Sequence, residues 1–177
     1  IALHCMLLMG SSFRNTMIGL MLAGVALTLL VPSGLARAVI FVAIAQGLIQ
    51  ALNVDSRSRM SSAIIMGGYF AAIAPGLFCI TGTEMNLLAL QVVSDTTGKA
   101  VPYLDFIIQM APFSVFYMAF SVLLIFVIRG KERLSDERRL KEVLEERLRE
   151  MGPVSRDEIK IFIVLVSGFL GFVLETK

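Results

Sequence analysis

Histidine occurs once in this 177-residue chain, as His4, and cysteine twice, as Cys5 and Cys79. A single imidazole leaves no Ser-His-Asp arrangement and no His-ligated metal site. The two cysteines sit far apart in apolar surroundings, so they read as buried or lipid-facing thiols, with no Cys/His metal spacing. Neither a Walker A motif nor a strand-flanked GxGxxG is present. The net charge is only +2, without a basic stripe, which argues against nucleic acid as a partner. Charge itself is scarce over most of the chain. Residues 1–128 hold nine charged side chains: Arg14, Arg37, Asp55, Arg57, Arg59, Glu84, Asp95, Lys99 and Asp105. Residues 129–160 hold nineteen, ten basic and nine acidic. That division excludes an ordinary soluble globule, a disordered chain and a secreted disulfide scaffold. It describes an all-α polytopic membrane protein with one long polar excursion.

What is there is a set of charge-free runs at 15–36, 38–54, 60–83, 106–128 and 161–174. A spanning helix needs about 20 mostly apolar residues. The runs 60–83 and 106–128 meet that need. Around Pro32 the reading divides. Thr16–Val31 and Ala36–Leu52 are apolar arms joined by Pro32-Ser33-Gly34-Leu35. They form either two short spanning helices or a re-entrant hairpin whose tip stops within the bilayer, a form that needs its irregular backbone buried in protein or facing a wet cavity. Arg37 is costly there if it faces lipid and acceptable if it faces a cavity.

The segment 60–95 is interrupted. Ser61–Gly76 reads as a helix rich in small residues, which admit a neighbouring helix closely. Pro75-Gly76 and Thr81-Gly82-Thr83 then predict a break near 77–83, exposing carbonyls from one half-helix and N–H groups from the next. Such breaks form ion and anion sites in secondary transporters; the plainer alternative is a kinked helix with a Thr-rich packing face. Glu84 can ligate a cation or carry a proton at the break, or, more commonly, stabilise the N-terminus of the following half-helix.

The chain divides into a membrane domain at 1–128 (hairpin 15–54, broken helix 60–95, spanning helix 103–128), a charged helix at 129–158 and the start of another transmembrane helix at 159–177. In the charged stretch Ser135 is a candidate cap, with Asp136 and Glu137 in the first turn. Leu140, Val143, Leu144, Leu148 and Met151 form an apolar stripe, and Arg138–Glu142 and Glu145–Arg149 are candidate pairs on the opposite face. Ser155 to Glu158 has capping-box spacing. The positive-inside bias places 53–59 and 129–160 in the cytoplasm and 94–102 outside. The chain opens on Ile1 within one apolar run and closes soon after another, which reads as a piece of a longer protein.

Ile1–Leu3 with Gly10-Ser11-Ser12, Pro32-Ser33-Gly34-Leu35-Ala36-Arg37, Thr81-Gly82-Thr83-Glu84-Met85-Asn86 and Gly152-Pro153-Val154-Ser155-Arg156-Asp157-Glu158, in that order, resemble the first inverted repeat of the divalent anion:sodium symporter family. That resemblance implies a cytoplasm-entering hairpin, a broken helix, a further span and a cytoplasmic interfacial helix. The family's hairpin tip commonly reads Pro-Ser-Asn-Thr-Ala-Arg; here Gly34 and Leu35 stand in place of the Asn and Thr, removing two polar side chains. In the broken-helix loop, Glu84 and Met85 replace residues that are often Pro.

The resemblance implies a secondary transporter of small anions, of the di- or tricarboxylate or inorganic oxyanion classes, coupled to sodium or working by exchange, and no enzyme. Ser33, Gly34, Thr83 and Asn86 are the implied substrate contacts. Ser33, Gly34, Thr81 and Gly82 are the implied sodium ligands, chiefly through carbonyls, and no other cofactor is implied. Arg37 ranks first as a hairpin-stabilising residue. The expected partners are the lipid bilayer of a bacterial inner membrane, a second repeat of the same chain and a second copy in a homodimer. The altered tip keeps open the alternative of a non-transporting scaffold, sensor or subunit.

Overall fold

Hydroxyl side chains start four of the helices. Ser12, Ser33, Ser58 and Thr83 accept from the backbone N–H groups of Asn15, Ala36, Ser61 and Asn86 at 3.3, 3.4, 3.0 and 3.3 Å. Each satisfies one of the donors a helix leaves unpaired at its first turn. The computed structural model describes residues 2–9, 12–31, 33–132, 137–152 and 155–174. Its helices are α1 Ala2–Met9, α2 Phe13–Leu30, α3 Gly34–Ala51, α4 Arg59–Ile73, α5 Glu84–Thr97, α6 Tyr103–Arg129, α7 Glu137–Met151 and α8 Arg156–Leu174, with no strand among the described residues. Phe13–Leu30, Gly34–Ala51, Arg59–Phe78 and Tyr103–Arg129 are long and apolar enough to cross a membrane.

α4 is the centre of the bundle, packed against α2, α3 and α6. Its small residues do what their spacing predicts. Ala63, Ala71 and Ala72 are fully buried. A side chain on Gly68 would meet the Phe41 carbonyl of α3 at 2.8 Å, and one on Gly24 of α2 would run into the Ala71 carbonyl of α4. Two helix backbones therefore approach α4 at distances only glycine permits.

The break in the 60–95 segment begins earlier than expected. The helix stops at Ile73 instead of continuing to Gly76. Pro75 supplies no N–H to the Ala71 carbonyl, so the α-helical ladder cannot run through it. The chain tightens into a 3₁₀ turn over Ala74–Phe78, extends at Cys79, turns again over Ile80–Gly82, and extends at Thr83 before α5. In sequence the break is ten residues, 74–83, and two short turns fill most of it.

At the far end of α4 the chain is tied down from a distance. Glu132, just beyond α6, accepts from the Arg59 and Met60 N–H groups at 3.3 and 2.7 Å. The Arg129 guanidinium lies 5.0 Å from the Phe13 ring centre and 5.2 Å from that of Phe126, joining the start of α2 to the end of α6.

On α7, Leu140, Val143 and Leu144 are buried in the common core, where the helix packs on α1 and α3. Its ion pairs differ in register from expectation. Among the described residues Glu145 pairs with Lys141 at 3.7 Å, not with Arg149, and Arg147 pairs with Glu150 at 2.9 Å. Ser135 and Asp136, the expected cap, lie outside the described residues, as does Pro32. The capping box at the start of α8 is present: Glu158 accepts from the Ser155 N–H at 2.6 Å, and Ser155 Oγ accepts from the Glu158 N–H at 3.2 Å. Beyond it α8 presents Ile161, Phe162, Ile163, Val164 and Leu170 on its surface.

Candidate functional site

The start of α3, the end of α4 and the start of α5 meet at one place. A methyl group on Gly34 would lie 3.7 Å from Ile73 Cδ1, 3.9 Å from Thr83 Cγ2 and 4.0 Å from Arg37 Nη2. Two capped N-termini, those of Ser33 and Thr83, are thereby brought side by side. Each carries the partial positive charge of its helix and unpaired first-turn N–H groups. The sequence placed Ser33, Gly34, Thr83 and Asn86 in one site, and the fold brings those segments together.

Beneath this surface lies Arg37, with no exposed area. Its Nε donates to the Ala72 carbonyl at 3.0 Å, Nη1 to Val31 at 2.6 Å, and Nη2 to Gly82 at 2.6 Å. It faces neither lipid nor an open cavity, the two alternatives weighed from sequence. Its acceptors are the carbonyl ends of α2, α4 and the second 3₁₀ turn, where helix dipoles favour a cation. The Ala72 carbonyl is one that the broken ladder leaves free, so the guanidinium completes a hydrogen-bond set that Pro75 interrupts.

Asn86 does the same for the other side of the break. Its Nδ2 donates to the carbonyls of Gly76 at 3.0 Å and Cys79 at 2.7 Å, and its side chain is buried. Both amide hydrogens are thus committed to backbone. Thr81 Oγ1 shares a hydrogen bond with the Tyr103 hydroxyl at 2.8 Å, joining the loop to the first turn of α6. Gly76 and Gly82 stand backbone to backbone, and a side chain on Gly82 would run into the Gly76 carbonyl. The carbonyls expected to lie open at the break are therefore largely occupied by Arg37 and Asn86.

Three side chains at this place are exposed. Leu35 and Met85, each the second residue of its helix, are 76% and 72% exposed. Glu84, the first residue of α5, is exposed between them; its carboxylate interacts with the Ser33 side chain, the Gly34 backbone and, at longer range, Arg37. Tyr103, Val31 and Ala72 are parts of the arrangement that sequence reasoning missed. Two contribute only a carbonyl, which leaves no mark in a sequence, and Tyr103 sits in the connection before α6 with no motif around it. Among the described residues no cluster of His, Cys, Asp and Glu suited to a metal ion occurs.

A family model described as the sodium:sulfate symporter transmembrane region matches residues 1–177. A protein of Cupriavidus necator, described only as a membrane protein, is 28% identical over 179 residues, covering 100% of this chain and 34% of its own length. The chain spans about one third of the length of the relative it matches.

Proposed function

The chain belongs to the sodium:sulfate symporter family, a family of transporters and not of enzymes, and on that premise we propose that it forms one half of a small-anion transport site. The observation that carries this reading is the convergence of two capped helix N-termini, at Ser33 and Thr83, on one surface. Backbone N–H groups and the helix dipole make such ends receptive to anions. A second repeat of the same chain supplies the facing half. The α2–α3 pair is read as a re-entrant hairpin: its arms of 18 residues rise ~27 Å as helices, and its tip meets the interrupted middle of the α4–α5 segment. The protein sits in a bacterial inner membrane as a homodimer, with the Arg57–Arg59 and 129–160 segments cytoplasmic.

Coupling is read as follows. Of the oxygens expected to hold sodium, the Gly82 carbonyl accepts from Arg37, Thr81 Oγ1 is bonded to Tyr103, and Ser33 Oγ accepts from Ala36 N–H. A sodium ion beside Gly82 would stand next to a fixed guanidinium charge. That favours anion exchange over sodium symport as the driving reaction. The test is uptake by the full-length protein in proteoliposomes. Radiolabelled anion should enter vesicles preloaded with unlabelled anion when choline replaces sodium. Strict dependence on sodium would reverse the choice of coupling. Absence of flux from folded protein under both conditions would support the non-transporting alternative.

A further inference from the structure

The exposed part of the site contains one formal charge, and it is negative. Arg37 lies behind the tip, buried, with all three of its nitrogens donating to carbonyls. The nearest other cations in the chain lie at the far ends of long helices: Arg14 begins α2, and Arg57 and Arg59 flank the start of α4. Helices of 15 to 18 residues separate these from the tip, roughly 22–27 Å at 1.5 Å per residue. Such distances exceed the Debye length of ~8 Å at physiological salt.

Against this background Glu84 has a particular placement. It is the first residue of α5, so its carboxylate already serves that N-terminus. It also reaches Ser33 and the backbone of Gly34 at the α3 N-terminus. One of the chain's own carboxylates therefore lies where the two anion-attracting helix ends are closest. On either side the next residue is a large exposed apolar side chain, Leu35 or Met85. A second negative group arriving here finds a like charge, no free cation and two apolar surfaces. A single negative group attached to an apolar body finds the remaining N–H groups for its charge and Leu35 and Met85 for its body.

We infer that Glu84 is a specificity-determining residue that takes one anion position from within the chain and restricts the substrate to anions carrying one negative group on an apolar body. This deepens the transport reading above and rests on it. The effect is on discrimination, since the repulsion falls only on the second charge of a dianion. Two unit charges several ångströms apart at a protein surface interact by on the order of a tenfold factor in affinity.

The experiment compares uptake of radiolabelled butyrate and succinate, which share a four-carbon length and differ by one carboxylate. It uses the full-length protein and its Glu84→Gln and Glu84→Asp variants in proteoliposomes. In the wild type, kcat/KM for butyrate should exceed that for succinate by about tenfold or more. Glu84→Gln should shift the ratio about tenfold toward succinate, and Glu84→Asp should keep the wild-type ratio. A wild type that prefers succinate would overturn the inference whatever the variants do. So would a ratio unmoved by Glu84→Gln. Either of those results leaves the transport reading standing, whereas uptake of no anion by folded wild type removes both.

Discussion

Arg37 and Gly82 carry the sharpest expectations for single side chains. Hydrogen bonds to a charged donor are worth about 1.5–3 kcal/mol each, and Arg37 makes three from inside the bundle. Lysine lacks the planar fork and cannot reach three separated carbonyls at once. Arg37→Lys should therefore lower the stability of the detergent-solubilised protein by about 2–4 kcal/mol, measurable as a fall in the thermal unfolding midpoint. An unchanged midpoint would show that the three carbonyls find other donors. The two glycines of the site should behave differently from each other. Gly34→Ala places its methyl no nearer than 3.7 Å to any neighbour, which is ordinary contact, while Gly82→Ala drives one into the Gly76 backbone. Uptake by Gly34→Ala should match wild type, and Gly82→Ala should lose it. Equal loss at both positions would mean that the α3 start is more tightly enclosed than the geometry indicates.

Whole helices are governed by their ends. The break between α4 and α5 was legible from Pro75, Gly76, Gly82 and the threonines, because proline removes a donor wherever it stands. Its internal wiring was not legible, since the partners of Arg37 and Asn86 are backbone carbonyls that every residue possesses. The small face of α4 and the stripe of Leu140, Val143 and Leu144 were legible for the opposite reason: burial selects side-chain size and period. The surface pairs of α7 shifted register because exposed charges have several neighbours of nearly equal energy. At the start of α8, the Ser155 N–H and hydroxyl hold the Glu158 carboxyl below the usual carboxylate range. A lowered folded value means that this cap contributes fully at neutral pH and is lost as pH falls through it, below the ordinary carboxylate pKa. Amide exchange at Ser155 should quicken on acidification through that window. Glu158→Gln should abolish the pH dependence; exchange rising identically in the variant would show that the capping box is not its source.

For the molecule as a whole, the family and the membrane class were readable from uneven charge and from ordered motifs, whereas the depth of the hairpin was not. Parity of the arms is the same for a helix pair as for a re-entrant hairpin, so only the position of the tip distinguishes them. In the full-length protein, cysteine placed at Asn15 and at Asn53 should react with an impermeant thiol reagent from the same side, in a background where Cys5 and Cys79 are replaced. Cysteine at Leu35 should resist that reagent applied from the opposite side if the tip stops within the bilayer. Rapid labelling of the Leu35 position from the opposite side would establish two full spans.

Arg37 also has a history within the growing chain. Its acceptors are Val31, Ala72 and Gly82, and the last is made 45 residues after it. At 5–20 residues per second that is roughly 2–9 s of synthesis. During that interval the guanidinium has only Val31 to bind, and an arginine at the centre of a bilayer costs about 2.5–3.5 kcal/mol even on an insertion scale. The hairpin is therefore a late arrival: α4 and its loop must be in place before the α2–α3 tip can settle beside them. Assembly runs from the later segment back to the earlier one, against the order in which the ribosome delivers them.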